Sequence, residues 1–125
     1  MTNDQITKDK KYDLEERTRS FGIRIIQFAK QIPENAITKP LVAQLIRLGT
    51  SVGSNYCEAD DAESRRDFKH KIGICKKEAR ETKHWLIMLA NADPNLEKKI
   101  SSLYQEAKEL NLILNAIIHS TNKNN

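Results

Sequence analysis

The chain has little of what punctuates, staples or stacks. Its 125 residues include four Gly, three Pro, two Cys and one Trp, with 6% aromatic residues. So few Gly and Pro exclude a collagen-like, loop-rich or low-complexity chain. Cys57 and Cys75 are 18 residues apart and make no Cys-x-x-Cys pair. They read as small apolar residues in a reducing cytoplasm, not as a disulfide framework. No stretch approaches the roughly 20 apolar residues that span a bilayer, so no membrane partner is expected. Met1 to Lys11 is polar and mixed in charge, without the apolar core of a signal peptide.

What remains is a chain with 38% hydrophobic and 30% charged residues, long enough for one domain with its own core. Apolar residues recur at steps of three and four, the helical period. A first segment, about 13–32, carries Leu14, Phe21, Ile25, Phe28 and Ile32 on one stripe, and Pro33 stops it. A second runs from Thr38, a candidate N-cap, to about Asp61, with Pro40 in its first turn. Leu41, Leu45, Leu48 and Val52 form its stripe. A third opens at Ser64, three before Asp67, a variant of the capping box. Phe68, Ile72, Cys75, Ala79, Leu86 and Leu89 form its inner face. Asn91 to Asn95, with Pro94, reads as a turn. The fourth segment, about 96–119, carries Leu96, Ile100, Leu103, Ala107, Leu110, Leu114 and Ile117. A polar tail, Ser120 to Asn125, is expected to fray, as are the residues before about position 12.

No stretch alternates as a strand would. The expectation is an all-α fold, an antiparallel up-down-up-down four-helix bundle forming one domain. Gly49 and Gly53 stand one turn apart within the second segment. They predict close helix–helix contact, with a kink as the alternative.

The net charge of +4 is unevenly placed. Residues 1–63 hold 9 basic and 10 acidic residues, and residues 93–125 hold 4 of each. Residues 64–92 hold 8 basic and 3 acidic, so the surplus lies on the third helix. At about 100° per residue, Arg65, Lys69, Lys76, Arg80 and Lys83 share about 60° of arc. Arg66 and Lys77 widen it to about 120°. The stripe is about 27 Å long, enough to follow several phosphates of RNA or DNA. An ordinary solvated cationic face is the alternative. No Phe, Tyr or Trp lies within the arc, so stacking on single-stranded bases is not indicated.

Catalytic and metal chemistry find no support. A di-metal bundle needs Glu-x-x-His on two helices, but Glu81/His84 and the variant Asp67/His70 share one helix about 21 Å apart. No Gly-rich phosphate loop, nucleophile elbow or zinc spacing is present. No enzyme activity, metal or cofactor is therefore expected. Asn55, Glu58, Glu78 and Glu81 stand near apolar stripes, where polar groups need partners. Arg24, Arg47 or Lys77 could supply them, in a network that sets helix register.

Two stretches carry a family resemblance. Ser51-Val52-Gly53-Ser54-Asn55-Tyr56-Cys57-Glu58-Ala59 follows Leu41-Val42-Ala43-Gln44-Leu45-Ile46-Arg47-Leu48. Then come Asp67-Phe68-Lys69-His70-Lys71-Ile72 and Lys77-Glu78-Ala79-Arg80-Glu81-Thr82-Lys83-His84-Trp85-Leu86. Over about residues 12–118 the chain resembles the bacterial family of 23S rRNA-intervening sequence proteins. His84 stands where that family often has Tyr. The resemblance implies an antiparallel four-helix bundle that assembles into a ring, commonly a pentamer. A related branch, the accessory protein of diversity-generating retroelements, is a basic barrel that binds nucleic acid and a reverse transcriptase.

Apolar residues outside the stripes point the same way. Ile23, Ile26, Val42, Ile46, Ile74, Trp85 and Met88 exceed what one core needs, and such surplus marks a subunit interface. The expected function is a non-enzymatic, cytoplasmic homo-oligomer that contacts nucleic-acid backbone through Arg65, Arg66, Lys69, Lys76, Lys77, Arg80 and Lys83. The rival is a protein-interaction scaffold that recruits another protein and has no nucleic-acid role.

Overall fold

The computed structural model describes residues 3–123, with side chains from Leu14 onward. Among these residues there are four α-helices and no strand. Helix α1 spans Asn3–Ala29, α2 Thr38–Asp60, α3 Arg65–Ala92 and α4 Glu97–Lys123. A 3₁₀ turn, Pro94–Leu96, leads into α4. The fold is thus the all-α four-helix arrangement that the periodicity predicts. The side chains of the expected N-terminal tail lie outside those described.

Local chemistry sets the boundaries, and several depart from the expected ones. Helix α1 ends at Ala29 rather than Ile32, and tighter turns carry the chain on. Gln31 N donates to Phe28 O and Ile32 N to Ala29 O, at 3.0 and 3.2 Å. Pro33 disfavours helical backbone at the residue before it. Thr38 is not the N-cap of α2 but its first helical residue. The cap is Ile37, whose side chain accepts nothing. Asn35 does the work instead: its Oδ1 accepts from the amides of Ile37 and Thr38, both at 2.9 Å. The Thr38 hydroxyl, turned inward, donates to Pro33 O at 2.7 Å and accepts from Asn35 N at 3.0 Å. Ser64 does cap α3, accepting from Asp67 N at 3.0 Å. Helix α4 continues through the polar tail to Lys123.

The predicted stripes meet in one core. Phe21, Ile25, Leu45, Val52, Ile72, Cys75, Ala79, Leu86, Leu89, Ala107, Leu110 and Leu114 are fully buried. Truncating one of the buried leucines to Ala would cost about 2–5 kcal/mol. Leu41, Phe68 and Ile117 pack against the core but stay partly exposed.

Neighbouring helices run in opposite senses. Between α3 and α4, Asn111 bonds Lys76 O, and Tyr104 lies under Lys83. Between α1 and α4, Arg17 meets Glu106, and Arg24 meets Ser102. In both pairs the number falls on one helix as it rises on the other. Among the described residues no Cα of α1 comes within 8 Å of one in α3, nor any of α2 within 8 Å of one in α4, so each pair lies across the diagonal. That is the geometry of an up-down-up-down bundle.

Gly49 and Gly53 lie inside an unbroken α2, at its crossing with α1. A Cβ on Gly49 would stand 2.8 Å from Ile25 Cγ1. One on Gly53 would stand 3.3 Å from Thr18 O. These two glycines serve close approach, as their spacing predicts, and make no kink.

Candidate nucleic-acid interface

Helix α3 presents three faces, set by the helical period. Ile72, Cys75, Ala79, Thr82, Leu86 and Leu89 point to the core. One flank meets α2 and the other meets α4. The predicted cations occupy the α4 flank and the outer face.

Arg66, Lys77 and Arg80 are exposed on the outer face. Lys69, Lys76 and Lys83 follow each other at intervals of seven and are half-buried along the α3–α4 seam. Side chains of this kind lay their apolar stems on a neighbour and keep the charge in water. Lys83 Nζ stands 5.8 Å from the centre of the Tyr104 ring. Beneath Lys76, the Asn111 amide donates to the backbone carbonyl at 2.9 Å, which holds the seam in register. Arg65 is exposed in the first turn, beside Ser64, Phe68 and Thr121. Among the described residues, none of Arg66, Lys69, Lys76, Lys77, Arg80 and Lys83 forms an ion pair.

The eighth cation of α3 behaves differently. Lys71 projects from the α2 flank and donates to Glu58 Oε2 at 3.0 Å. That bond raises the pKa of its ammonium. Its helical angle, away from the arc of the other seven, is the signal that separates it in the sequence.

The expected polar network divides into smaller units. Asn55 Nδ2 donates to Glu78 Oε1 at 2.5 Å, across α2 and α3. Burial pushes the Glu78 carboxyl above the usual range, against the pull of the Asn55 bond and of Arg47, while Glu81 adds to the rise. Arg47 itself bonds Gln44 Oε1 at 2.9 Å on its own helix. Arg24 turns to α4, where it donates to Ser102 at 2.7 Å. Glu58 is taken by Lys71, and Lys77 faces outward.

Three features escaped the sequence reading. Arg17 donates to both carboxylate oxygens of Glu106, at 2.8 and 2.7 Å, closing α1 against α4. At 89 positions apart, the two are announced by nothing in the local sequence. Secondly, Val42 and Trp85 are not surplus but pack against the core. Among the described residues the exposed large apolar side chains are Ile23, Ile26, Ile37, Ile46, Ile87 and Leu112. Thirdly, a shallow basin of about 570 Å³ opens on α3 around Gly73, with Ile118 of α4 at its edge.

A family model described as 23S rRNA-intervening sequence protein matches residues 10–116. The chain belongs to that family. The crystal structure, at 1.70 Å resolution, of a protein of unknown function from the S23 ribosomal protein family of Bacteroides thetaiotaomicron VPI-5482 superposes with a TM-score of 0.75. It is 32% identical in sequence, and the match covers 84% of this chain and 97% of that one. No curated protein matches the chain. Among the described residues no three His, Cys, Asp or Glu side chains gather as a metal site would require. No described helix is long and apolar enough to cross a membrane.

Proposed function

We propose that this 23S rRNA-intervening sequence protein acts by binding, not by catalysis, and that it grips RNA or DNA backbone along α3. The supporting observation is the contrast within one helix. The cation on the α2 flank is paired with a carboxylate, and among the described residues Arg66, Lys69, Lys76, Lys77, Arg80 and Lys83 form no ion pair. Lys71 is committed to the bundle by its carboxylate, whereas no carboxylate neutralises these six. Backbone contact of this kind positions a nucleic acid without reading its bases. Each neutralised phosphate releases counterions, so affinity falls steeply with salt.

A gel shift across a salt series tests the reading. Wild-type binding is expected to weaken steeply with salt, and Lys76/Arg80/Lys83→Glu is expected to abolish it. Unchanged binding by the triple variant would overturn it.

The protein further works as a cytoplasmic homo-oligomer. This rests on exposed Ile23 and Ile26 of α1 and Ile46 of α2, helices that pack side by side. Large apolar side chains exposed on adjoining helices mark a face that a subunit ordinarily covers. Ile23→Lys with Ile46→Lys is expected to yield a monomer by light scattering after size exclusion. The same patch serves the scaffold reading, in which it recruits another protein; a wild-type monomer that captures one partner stoichiometrically would favour that reading.

A further inference from the structure

The basin on α3 contains a glycine that packing does not explain. Gly49 and Gly53 are held small by α1, but a Cβ on Gly73 would meet nothing within 4 Å. A helix interior disfavours glycine. Here its effect is to leave bare backbone in the middle of the outer face. Ile74 of α3 and Ile118 of α4 complete an apolar floor.

The rim has the opposite character. Arg66 and Lys77 stand at the two ends, about 16 Å apart along the helix axis. Lys69 closes the α4 side. No carboxylate lines the basin. His70, exposed one turn before Gly73 and Ile74, adds a flat ring at the margin.

A flat apolar floor inside a cationic rim suits a ligand that is itself a flat ring between anionic groups. We propose that the basin holds one unpaired nucleotide of the bound strand, its base face on the Gly73 backbone, Ile74 and Ile118 and beside the His70 ring. Phosphates of the same strand, to either side of that nucleotide, lie on Arg66, Lys69 and Lys77. This rests on the backbone-binding reading and narrows it. Inside a duplex the base faces are covered by their neighbours, so a base can reach this floor only from a bulge, loop or single strand. Contact through the face makes the site tolerant of base identity. A backbone floor at a glycine carries no aromatic signature, so stacking there leaves no trace in the residue pattern.

Fluorescence anisotropy tests the proposal with hairpins, as RNA and as DNA, either fully paired or carrying a single-nucleotide bulge. Wild type is expected to bind the bulged form at least about fivefold tighter, the lower end of what base stacking contributes. Gly73→Leu fills the floor without touching a cation. It is expected to erase the preference while leaving affinity for the paired hairpin within about twofold. His70→Ala is expected to reduce the preference, and gives a second readout should Gly73→Leu fold poorly. Equal binding of both hairpins by wild type, or an undiminished preference in both variants, overturns the basin and leaves the cationic stripe standing. Failure to bind either hairpin at low salt overturns both.

Discussion

Asn55 on α2 donates to Glu78 on α3 at 2.5 Å, joining a carboxamide to a carboxylate that burial has made reluctant to ionise. The bond lies on the flank of α3 opposite the basic seam. It belongs to the folding of the bundle, and its consequences appear as pH dependence.

A carboxyl whose folded pKa is raised holds its proton more tightly folded than unfolded. Stability therefore declines as pH rises from the ordinary value of 4.5 through the folded value, and then levels off. Glu78→Gln removes the charge and keeps an acceptor for Asn55. It is expected to remove this part of the decline and to melt no lower than wild type near pH 7. Asn55→Ala takes away the bond and leaves a half-buried carboxylate. A loss of about 1–3 kcal/mol is expected near neutrality, and less in acid. Thermal melts of the three proteins between about pH 4 and 8 measure both effects. A steeper decline in Glu78→Gln than in wild type would contradict the assignment.

The glycines should respond to alanine in opposite directions. At Gly49 the added Cβ meets the fully buried Ile25 at 2.8 Å, and Ile25 has no free space to yield. Gly49→Ala is expected to cost about 1–3 kcal/mol. Gly53→Ala presses on the Thr18 backbone at 3.3 Å and is also expected to destabilise. Gly73→Ala meets nothing and gains helix propensity, so stability should rise by up to about 1 kcal/mol. Urea unfolding of the three variants measures the signs.

Arg17 and Glu106 form a bidentate pair with Glu109 nearby, and both partners are mostly shielded from solvent. A double-mutant cycle with Arg17→Ala and Glu106→Ala is expected to give a coupling of about 1–2 kcal/mol. Additive losses in denaturant unfolding would show that the seam closes without the pair.

The two thiols should differ sharply in reactivity. Cys57 is exposed, whereas Cys75 is fully buried and its pKa is pushed up to about 12, first by burial and then by Glu78. Thiolate is the reactive form. Iodoacetamide is expected to modify Cys57 within minutes in the native protein and Cys75 only after unfolding. Mass spectrometry with and without denaturant reads this directly; prompt native labelling at Cys75 would count against the buried assignment.

The helices, their stripes and the uneven charge were legible because each depends on residues three or four apart. The period that buries Ile72, Cys75 and Leu86 also turns Arg66, Lys77 and Arg80 outward. Capping at Ser64 was legible for the same reason, since donor and acceptor lie within one turn. Even so, Thr38 shows how two polar residues three positions apart can exchange roles once a loop closes: Asn35 bonds the amides, and Thr38 turns inward.

The order of residues along each helix sets which faces are apolar and which helix carries the cations. Packing between helices selects which cations are spent on folding. Lys71 finds Glu58 and Arg17 finds Glu106 through packing, which brings together residues that local periodicity cannot relate. It likewise decides that Gly49 and Gly53 are buried by α1 while Gly73 lies open beside Ile118. A glycine has no side chain to declare its surroundings, so its meaning comes entirely from what the fold places against it.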